Sequence, residues 1–94
     1  LEAAILDIKQ GQEADFVTAF KQAQPIIQAA KGYVSHSLKK CVDKDHRYLL
    51  MITWETLEDH TVGFRESEAF KEWKALLHHF YEPFPEVLHY ADCI

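Results

Sequence analysis

Apolar residues form their longest unbroken run near the middle of the chain, over residues 48–52, and Trp54 follows closely. Because strand side chains alternate between two faces, a run without polar breaks predicts a strand that is buried on both faces. Thr56 and Asp59 then show the Thr-x-x-acid spacing that can cap a helix. The stretch therefore predicts a central strand that ends at Trp54 and a short helix over residues 57–65.

The rest of the chain shows strand and helix patterns in turn. Strands are predicted over residues 1–8, 33–42 and 86–93, and longer helices over residues 13–31 and 68–81. The first of these helices carries apolar residues at steps of four and three, as an amphipathic helix does. Pro25 lies inside it and is expected to kink or split it, because proline removes one backbone hydrogen bond. Gly11 and Gly32 are expected in the flanking turns, and Ser67 as the cap of the second helix.

The elements follow one another in the order β-α-β-β-α-β. With right-handed crossovers, this order predicts one ferredoxin-like α+β domain over residues 1–94. We expect a four-stranded antiparallel sheet with both helices on one face. The first and third strands then lie at the centre of the sheet, and the second and fourth lie at its edges.

The third strand needs cover on both faces, whereas the helices cover only one. Either Leu49 and Met51 or Leu50 and Ile52 would face water in a single copy of the chain. Each such exposed side chain forfeits about 1.5–3 kcal/mol of burial free energy. Exposed apolar patches of this kind mark interfaces. We therefore expect a homodimer in which the open sheet faces of two copies pack together.

Composition and charge narrow the classes of partner. The chain is 48% hydrophobic, carries a net charge of −5, and has a pI of about 5.6. This acidic balance argues against nucleic acid or an anionic membrane as partners, and no apolar run approaches the roughly 18 residues of a membrane span. No signal peptide is expected, and the start at Leu1 rather than Met suggests a trimmed N-terminus. Cys41 and Cys93 are expected to be free thiols on opposite sheet edges, in a reducing cytoplasm.

Six histidines make metal binding the first chemistry to consider. The adjacent His78 and His79 would point about 100° apart on a helix, so they cannot share a metal comfortably. No HxH, HxxxH or HExxH motif is present, and no metal site is predicted. We expect this pair to flank the apolar stripe or face solvent, and His36 and His89 to be hydrogen-bonded within the sheet.

His60 is the histidine best placed for chemistry. It lies in the helix after the central strand, next to Asp59 and one turn before Phe64, where it can move a proton or bind a ligand oxygen. The alternative is a helix histidine bonded to backbone or solvent. No nucleophile motif is present, and the three isolated glycines form no phosphate loop for a nucleotide or flavin. The surplus of aromatic residues can line a pocket for a flat apolar ligand.

Two segments of the chain form a recognisable pattern, Trp54-Glu-Thr-Leu-Glu-Asp-His60 and Phe64-Arg-Glu-Ser-Glu-Ala-Phe70. They resemble the antibiotic biosynthesis monooxygenase family. The family usually shows Trp-Glu at the end of the third strand, then a helix with His, Ser and Phe at similar spacing. The resemblance covers essentially the whole chain and implies a ferredoxin-like dimeric α+β barrel. It also implies, as in some members, oxygenation of polycyclic aromatic substrates without metal, flavin or haem.

The chain also departs from that pattern. Phe64 stands where many relatives have a second histidine. Haem-degrading relatives use Asn, Trp and His, roughly where this chain has Ala4, Gly63 and Lys74, so haem degradation is not expected.

Three hypotheses for function remain open. The first is a cofactor-free oxygenase acting on a small aromatic or quinone-type substrate. Its catalytic residues would be His60 and Tyr81, and its substrate-binding residues would be Trp54, Phe64, Trp73 and Phe84. The second is a dimeric ligand-binding or stress-response domain without turnover, in which neighbours tie up His60. The third is a structural dimerisation module whose aromatic packing leaves no cavity.

Overall fold

The computed structural model describes all 94 residues, and its elements follow the predicted order. The strands are β1 (Glu2–Asp7), β2 (Tyr33–Lys40), β3 (Arg47–Trp54) and β4 (Val87–His89); the helices are α1 (Glu13–Gln28), a π-helix (Asp59–Phe64), α2 (Glu68–Leu77) and a 3₁₀ turn (His78–Phe80). All strand pairs are antiparallel, and the sheet order is β2-β3-β1-β4. The ferredoxin-like α+β fold and the central positions of the first and third strands are therefore confirmed.

The two faces of the sheet differ sharply in burial. On the covered face, even-numbered residues of β1 and β3 are buried, among them Leu6 and Ile52, and α1 packs against them. On the open face, Ile5 is 52% exposed and lies opposite Leu49 in the β1–β3 register. Leu49 and Met51 therefore face outward, which decides between the two arrangements that the sequence left open.

Helix α1 is a single helix that continues through Pro25. The predicted split is wrong, because Pro25 lies only three residues before the end of the helix at Gln28 and removes one bond from its last turn. Gly32, which was expected to mark a turn after this helix, has a φ of +81°. The same φ is found at Gly11 before the helix.

The first helical segment after β3 nearly matches its predicted bounds, whereas the last helix is shorter than predicted. The segment expected over residues 57–65 is helical over residues 57–64, and its part over Asp59–Phe64 is a π-helix. Its predicted cap is confirmed, because the Thr56 backbone N–H donates to the Asp59 carboxylate at 3.1 Å and the Asp59 N–H donates to the Thr56 hydroxyl at 3.2 Å. The last helix was expected to run to Tyr81, but α2 ends at Leu77 and gives way to the 3₁₀ turn. Its Ser67 cap is confirmed by a bond from the Phe70 N–H.

Strand β4 is also shorter than the predicted segment over residues 86–93. Glu2 pairs with His89, and the Tyr90 N–H bonds to the Leu1 carbonyl, so no strand lies beside the residues that follow. Cys93 consequently lies outside the edge strand on which it was expected. Both cysteines are free thiols, and Cys93 is exposed.

Strand β2 contains a bulge that changes which face of the sheet its side chains point to. Alternation predicts that Tyr33 and His36 lie on opposite faces, but the register shifts between Tyr33 and Ser35. An extra residue re-aims the side chains that follow it. The Tyr33 hydroxyl consequently lies 2.6 Å from Nδ1 of His36, and the Gln24 amide nitrogen lies 3.1 Å from its Nε2. His36 is thus a hydrogen-bonded structural histidine, as the sequence indicated.

Candidate functional site

A cavity of about 360 Å³ lies between the covered sheet face and the C-terminal third of the chain. We call it the inner cavity. Its floor is formed by Ala4, Leu6, Leu50 and Ile52. Its walls come from the π-helix, from α2 and from the segment that runs from His78 into β4. The presence of this space disfavours a purely structural module with fully packed aromatic residues.

Five of the six residues proposed for the site line the inner cavity. They are His60, Phe64, Trp73, Tyr81 and Phe84. The rings of Phe64 and Trp73 meet edge to face, with centroids 6.0 Å apart, and those of Tyr81 and Phe84 meet in the same manner at 6.0 Å. Edge-to-face contacts hold aromatic walls in defined orientations. The cavity is therefore suited to a flat ring.

Trp54 does not line the inner cavity and lies behind His60 instead. Its ring stacks on the His60 imidazole, with centroids 5.5 Å apart and planes 16° from parallel. Its indole N–H donates to Oε1 of Glu2 at 2.9 Å. Trp54 also lines a second cavity of about 620 Å³ at the sheet edge, which we call the edge cavity, together with Glu2 and His89. Trp54 therefore supports the polar groups of the site rather than touching a ligand in the inner cavity.

Glu2, His60 and His89 form a polar cluster in the wall between the two cavities. Nε2 of His60 lies 3.2 Å from Oε1 of Glu2, and Nδ1 of His60 lies 2.7 Å from Nε2 of His89. Glu2 and His60 are only 6% and 4% exposed, whereas His89 lies at the surface. The cross-strand pairing of Glu2 with His89 and the cap of the π-helix bring these three side chains together.

Burial disfavours charge on both inner members of this cluster. Loss of solvent raises the pKa of the Glu2 carboxyl, although the Trp54 hydrogen bond opposes that shift. Burial lowers the pKa of His60 to about 4, and the nearby charge of Arg65 adds to the effect. His60 is therefore a neutral imidazole at pH 7, with a single ring N–H.

Tyr81 brings a phenol into the inner cavity beside this cluster. Burial raises the pKa of its hydroxyl, and the carboxylate of Glu2 raises it further. The hydroxyl therefore stays protonated. It has no hydrogen-bond partner in the protein, and because no buried side-chain oxygen lacks a partner, it reaches the cavity surface. Tyr81 can thus donate a hydrogen bond to a ligand.

Sequence reasoning missed four polar residues that line the inner cavity, namely Glu2, His78, Arg65 and Lys74. Glu2 was read only as part of an apolar strand, although it shares a face with Ala4 and Leu6, where a carboxylate stands out. His78 was expected to flank the apolar stripe or face solvent, but it is half-buried against Phe84, with ring centroids 5.0 Å apart. The sequence signal that could have placed His78 in the lining was its position eight residues after Phe70, a spacing typical of one face of a helix. His79 is exposed, as expected.

The remaining polar lining is basic. Arg65 and Lys74 both line the inner cavity from exposed positions. The Lys74 ammonium lies 5.1 Å from the centroid of the Phe70 ring. No group of three or more His, Cys, Asp or Glu side chains is arranged to hold a metal ion.

The fold and this cavity define an α+β protein with a ligand-sized site between sheet and helices. The chain matches the family described as antibiotic biosynthesis monooxygenase over residues 2–76, and it belongs to that family. It is 60% identical over 91 residues to the uncharacterized protein YczJ of Bacillus subtilis (strain 168), covering 97% of this chain and 96% of that one.

One solved structure gives the same family assignment, and a second gives the same fold. A Bordetella bronchiseptica protein with the same family description is 33% identical, with a TM-score of 0.93 over 99% of this chain and 95% of that one. SnoaB, a cofactor-independent oxygenase from Streptomyces nogalater, is 18% identical, with a TM-score of 0.76 over 99% of this chain and 93% of that one. At that identity, the likeness to SnoaB shows the fold alone. No helix of this chain has both the length and the apolar character needed to cross a membrane.

Proposed function

We propose that this protein is a cofactor-independent monooxygenase that acts on a small aromatic or quinol-type substrate in the inner cavity. The observation that carries the proposal is an aromatic-walled space of about 360 Å³ with few polar groups. Ligand sites are typically of roughly 300–1,000 Å³ and place a few polar groups in an apolar lining. Family membership supports oxygenase chemistry, and SnoaB supports chemistry without a cofactor.

Aromatic side chains hold the substrate ring in this proposal. Phe64, Trp73 and Phe84 supply the walls, and Trp54 supports His60 from behind. Ring stacking and edge contacts orient a flat substrate without polar partners. The polar end of the substrate then meets the wall that carries His60 and Tyr81.

His60 and Tyr81 act on the substrate oxygen. A phenol or ketone that loses a neighbouring proton develops negative charge on its oxygen. The Tyr81 hydroxyl is free to donate to that oxygen. The contact of His60 Nε2 with Glu2 at 3.2 Å is not aligned as a hydrogen bond, so its N–H also remains available to a ligand. Fixed donors in a site with little water stabilise such an oxyanion strongly.

The overall reaction is the oxidation of a substrate methylene by dioxygen. Loss of a proton leaves a carbanion, which gives its electron pair to dioxygen and forms a carbon–oxygen bond. The resulting hydroperoxide loses water, so that one oxygen atom remains as a carbonyl and the other leaves in the water. The substrate supplies all the electrons.

Oxygen uptake with anthrone tests this proposal. We expect anthrone-dependent uptake, with anthraquinone and water as products. His60→Ala should lower the rate about 100-fold, the usual loss for an oxyanion donor. The matched control is His79→Ala, because His79 is exposed and lies outside the cavity lining. Equal activity in the two variants would remove His60 from the mechanism.

A ligand-binding domain without turnover is the second candidate. It is favoured by the finding that His60 has neighbours at both ring nitrogens before any ligand binds. Saturable binding of anthrone to the protein, with no anthraquinone detected by mass spectrometry, would favour this candidate over the oxygenase.

Dimerisation through the open sheet face is the proposed assembly. Ile5 and Leu88 are 52% and 44% exposed there, beside Leu49 and Met51. A second copy would cover these side chains, and each covered chain contributes favourable burial free energy. This assembly would give the α+β barrel that the family resemblance implies.

A cytoplasmic location is proposed from the cysteines. Cys41 and Cys93 are both free thiols. Free thiols persist in reducing compartments, whereas oxidising compartments favour disulfides.

A further inference from the structure

The proposed reaction needs a group that removes the substrate proton, and His60 is poorly suited to that task. If Glu2 is ionised, an unprotonated Nε2 of His60 at 3.2 Å from Oε1 would set two lone pairs against each other, so Nε2 carries the ring proton. A neutral imidazole has one N–H, which makes Nδ1 the acceptor of the N–H from His89 at 2.7 Å. His60 therefore has no free lone pair.

Within the polar cluster, the second carboxylate oxygen of Glu2 is the basic atom that remains beside the inner cavity. Oε1 accepts the Trp54 indole N–H at 2.9 Å and lies beside His60. Oε2 has no hydrogen-bond partner in the protein. Since no buried side-chain oxygen lacks a partner, Oε2 must reach a cavity surface, and Glu2 lines the inner cavity as well as the edge cavity.

We propose that the Glu2 carboxylate is the catalytic base, which takes the substrate proton at Oε2 while the Trp54 indole N–H holds Oε1. The assignment rests on the proposed oxygenase function and names a residue that the sequence did not suggest. Burial raises the pKa of Glu2, which makes it a stronger base than a carboxylate in water.

Glu2 takes up and returns both methylene protons during the reaction. Oε2 takes one methylene proton, and the carbon–hydrogen electron pair passes to dioxygen as the carbon–oxygen bond forms. Glu2 returns that proton to the peroxide anion. It then takes the second proton from the same carbon, whose electron pair forms the carbonyl while the oxygen–oxygen bond breaks. The departing hydroxide recovers this proton from Glu2 as water, so the carboxylate is regenerated.

Hydrogen–deuterium exchange without oxygen isolates the proton-abstraction step. Anthrone is incubated with the protein in deuterated buffer under nitrogen, and loss of its methylene proton signal is followed by NMR. Wild-type protein should accelerate this exchange. Glu2→Gln keeps the shape and an acceptor oxygen but not the basicity, so it should lower the rate about 100-fold or more. Glu72→Gln is the control, because Glu72 is exposed and lies outside the cavity lining.

The outcomes separate this proposal from the oxygenase proposal. Exchange by the wild type without oxygen uptake would leave Glu2 as a base and remove the oxygenase function. Oxygen uptake together with near-wild-type exchange in Glu2→Gln would overturn the role of Glu2 and leave the oxygenase. Absence of exchange in the wild type would also overturn it.

A measurement on the wild type covers the case in which Glu2→Gln does not fold. The Glu2 carboxyl carbon is observed by ¹³C NMR in protein labelled at the glutamate carboxyl groups. Anthraquinone, which has the shape of the substrate but no methylene proton, is then added. We expect the Glu2 signal to shift on binding while that of Glu72 stays in place. An unmoved Glu2 signal in the saturated protein would place Oε2 away from the ligand and overturn the proposal.

Discussion

Gly32 lies directly against the carboxylate of Asp59, and a methyl group at Gly32 would overlap that carboxylate. The same carboxylate accepts the Thr56 N–H and so caps the helical segment that begins at residue 57 and continues into the π-helix. The Glu55 N–H also donates to the Gly32 carbonyl at 2.7 Å. The turn before β2 is thus tied to the segment that positions His60, the residue next to Asp59.

Gly32→Ala should be strongly destabilising, whereas Gly11→Ala should not. Both glycines have a φ of +81°, which costs an alanine about 1 kcal/mol. Only at Gly32 does the added methyl group also displace Asp59 and its cap, which adds about 1–2 kcal/mol. Urea denaturation of the two variants gives the comparison. Equal losses of unfolding free energy would show that Asp59 moves away freely.

Acidification should lower stability because His60 must be neutral in the folded protein. Burial lowers its folded pKa to about 4, whereas an unfolded histidine has a pKa of about 6.5. The unfolded chain therefore binds more protons between these values, and stability falls as the pH falls through this window. From pH 7 to pH 5, His60 should contribute a loss of about 2 kcal/mol.

Comparison of His60→Gln with the wild type isolates this effect. The variant should lose less unfolding free energy between pH 7 and pH 5, whereas His79→Gln should follow the wild type, because His79 is exposed. The Glu2 carboxyl has the opposite effect on stability. Because its pKa is raised in the folded protein, it adds unfolding free energy as the pH falls through that pKa. Identical slopes for His60→Gln and the wild type would show that His60 titrates as an ordinary exposed histidine.

The sequence predicted the fold well because its signals are local. Apolar periodicity defined α1 and β3, and the Thr56 and Ser67 caps placed the starts of two helical segments. The ends of the segments were harder to predict from the sequence, because the end of β4 depends on how far β1 extends beside it. The bulge in β2 likewise left no periodic signal.

The site was predicted less completely than the fold. The aromatic walls follow from helical spacing, so Phe64 and Trp73 could be named from the sequence. The cluster of Glu2, His60 and His89 joins residues up to 87 positions apart in the chain and depends on the pairing of β1 with β4. No short motif encodes such a pairing, so Glu2 was not visible as a site residue.

Ligands that carry a carboxylate should bind the inner cavity more tightly than neutral analogues. Arg65 and Lys74 line the cavity and form no salt bridge, and Glu2 is the only acid in the lining. We expect 1,4-dihydroxy-2-naphthoate to bind about tenfold more tightly than 1,4-dihydroxynaphthalene, a difference of about 1.4 kcal/mol. Isothermal titration calorimetry measures both dissociation constants.

Neutralising the two cations should remove that preference. Arg65→Gln and Lys74→Gln should each weaken binding of the carboxylate more than binding of the neutral analogue. The control is Lys71→Gln. Lys71 lies on the same helix as Lys74, but it pairs with Glu68 at 3.2 Å and does not line the cavity. Equal affinities of the wild type for the two naphthalenes would contradict the expected preference.

A charge on the open sheet face should break the proposed dimer. Ile5 lies at the centre of the apolar strip, opposite Leu49 in the sheet register, and would be buried against a second copy. Ile5→Lys places an ammonium in that contact, where desolvation without a partner is unfavourable. Val62→Lys is the matched control, because Val62 is 53% exposed and lies in the π-helix, away from this face. Sedimentation velocity should show a dimer for the wild type and Val62→Lys and a monomer for Ile5→Lys. A monomeric wild type at high concentration would mean that the strip around Ile5 remains in water, and the proposed assembly would be wrong.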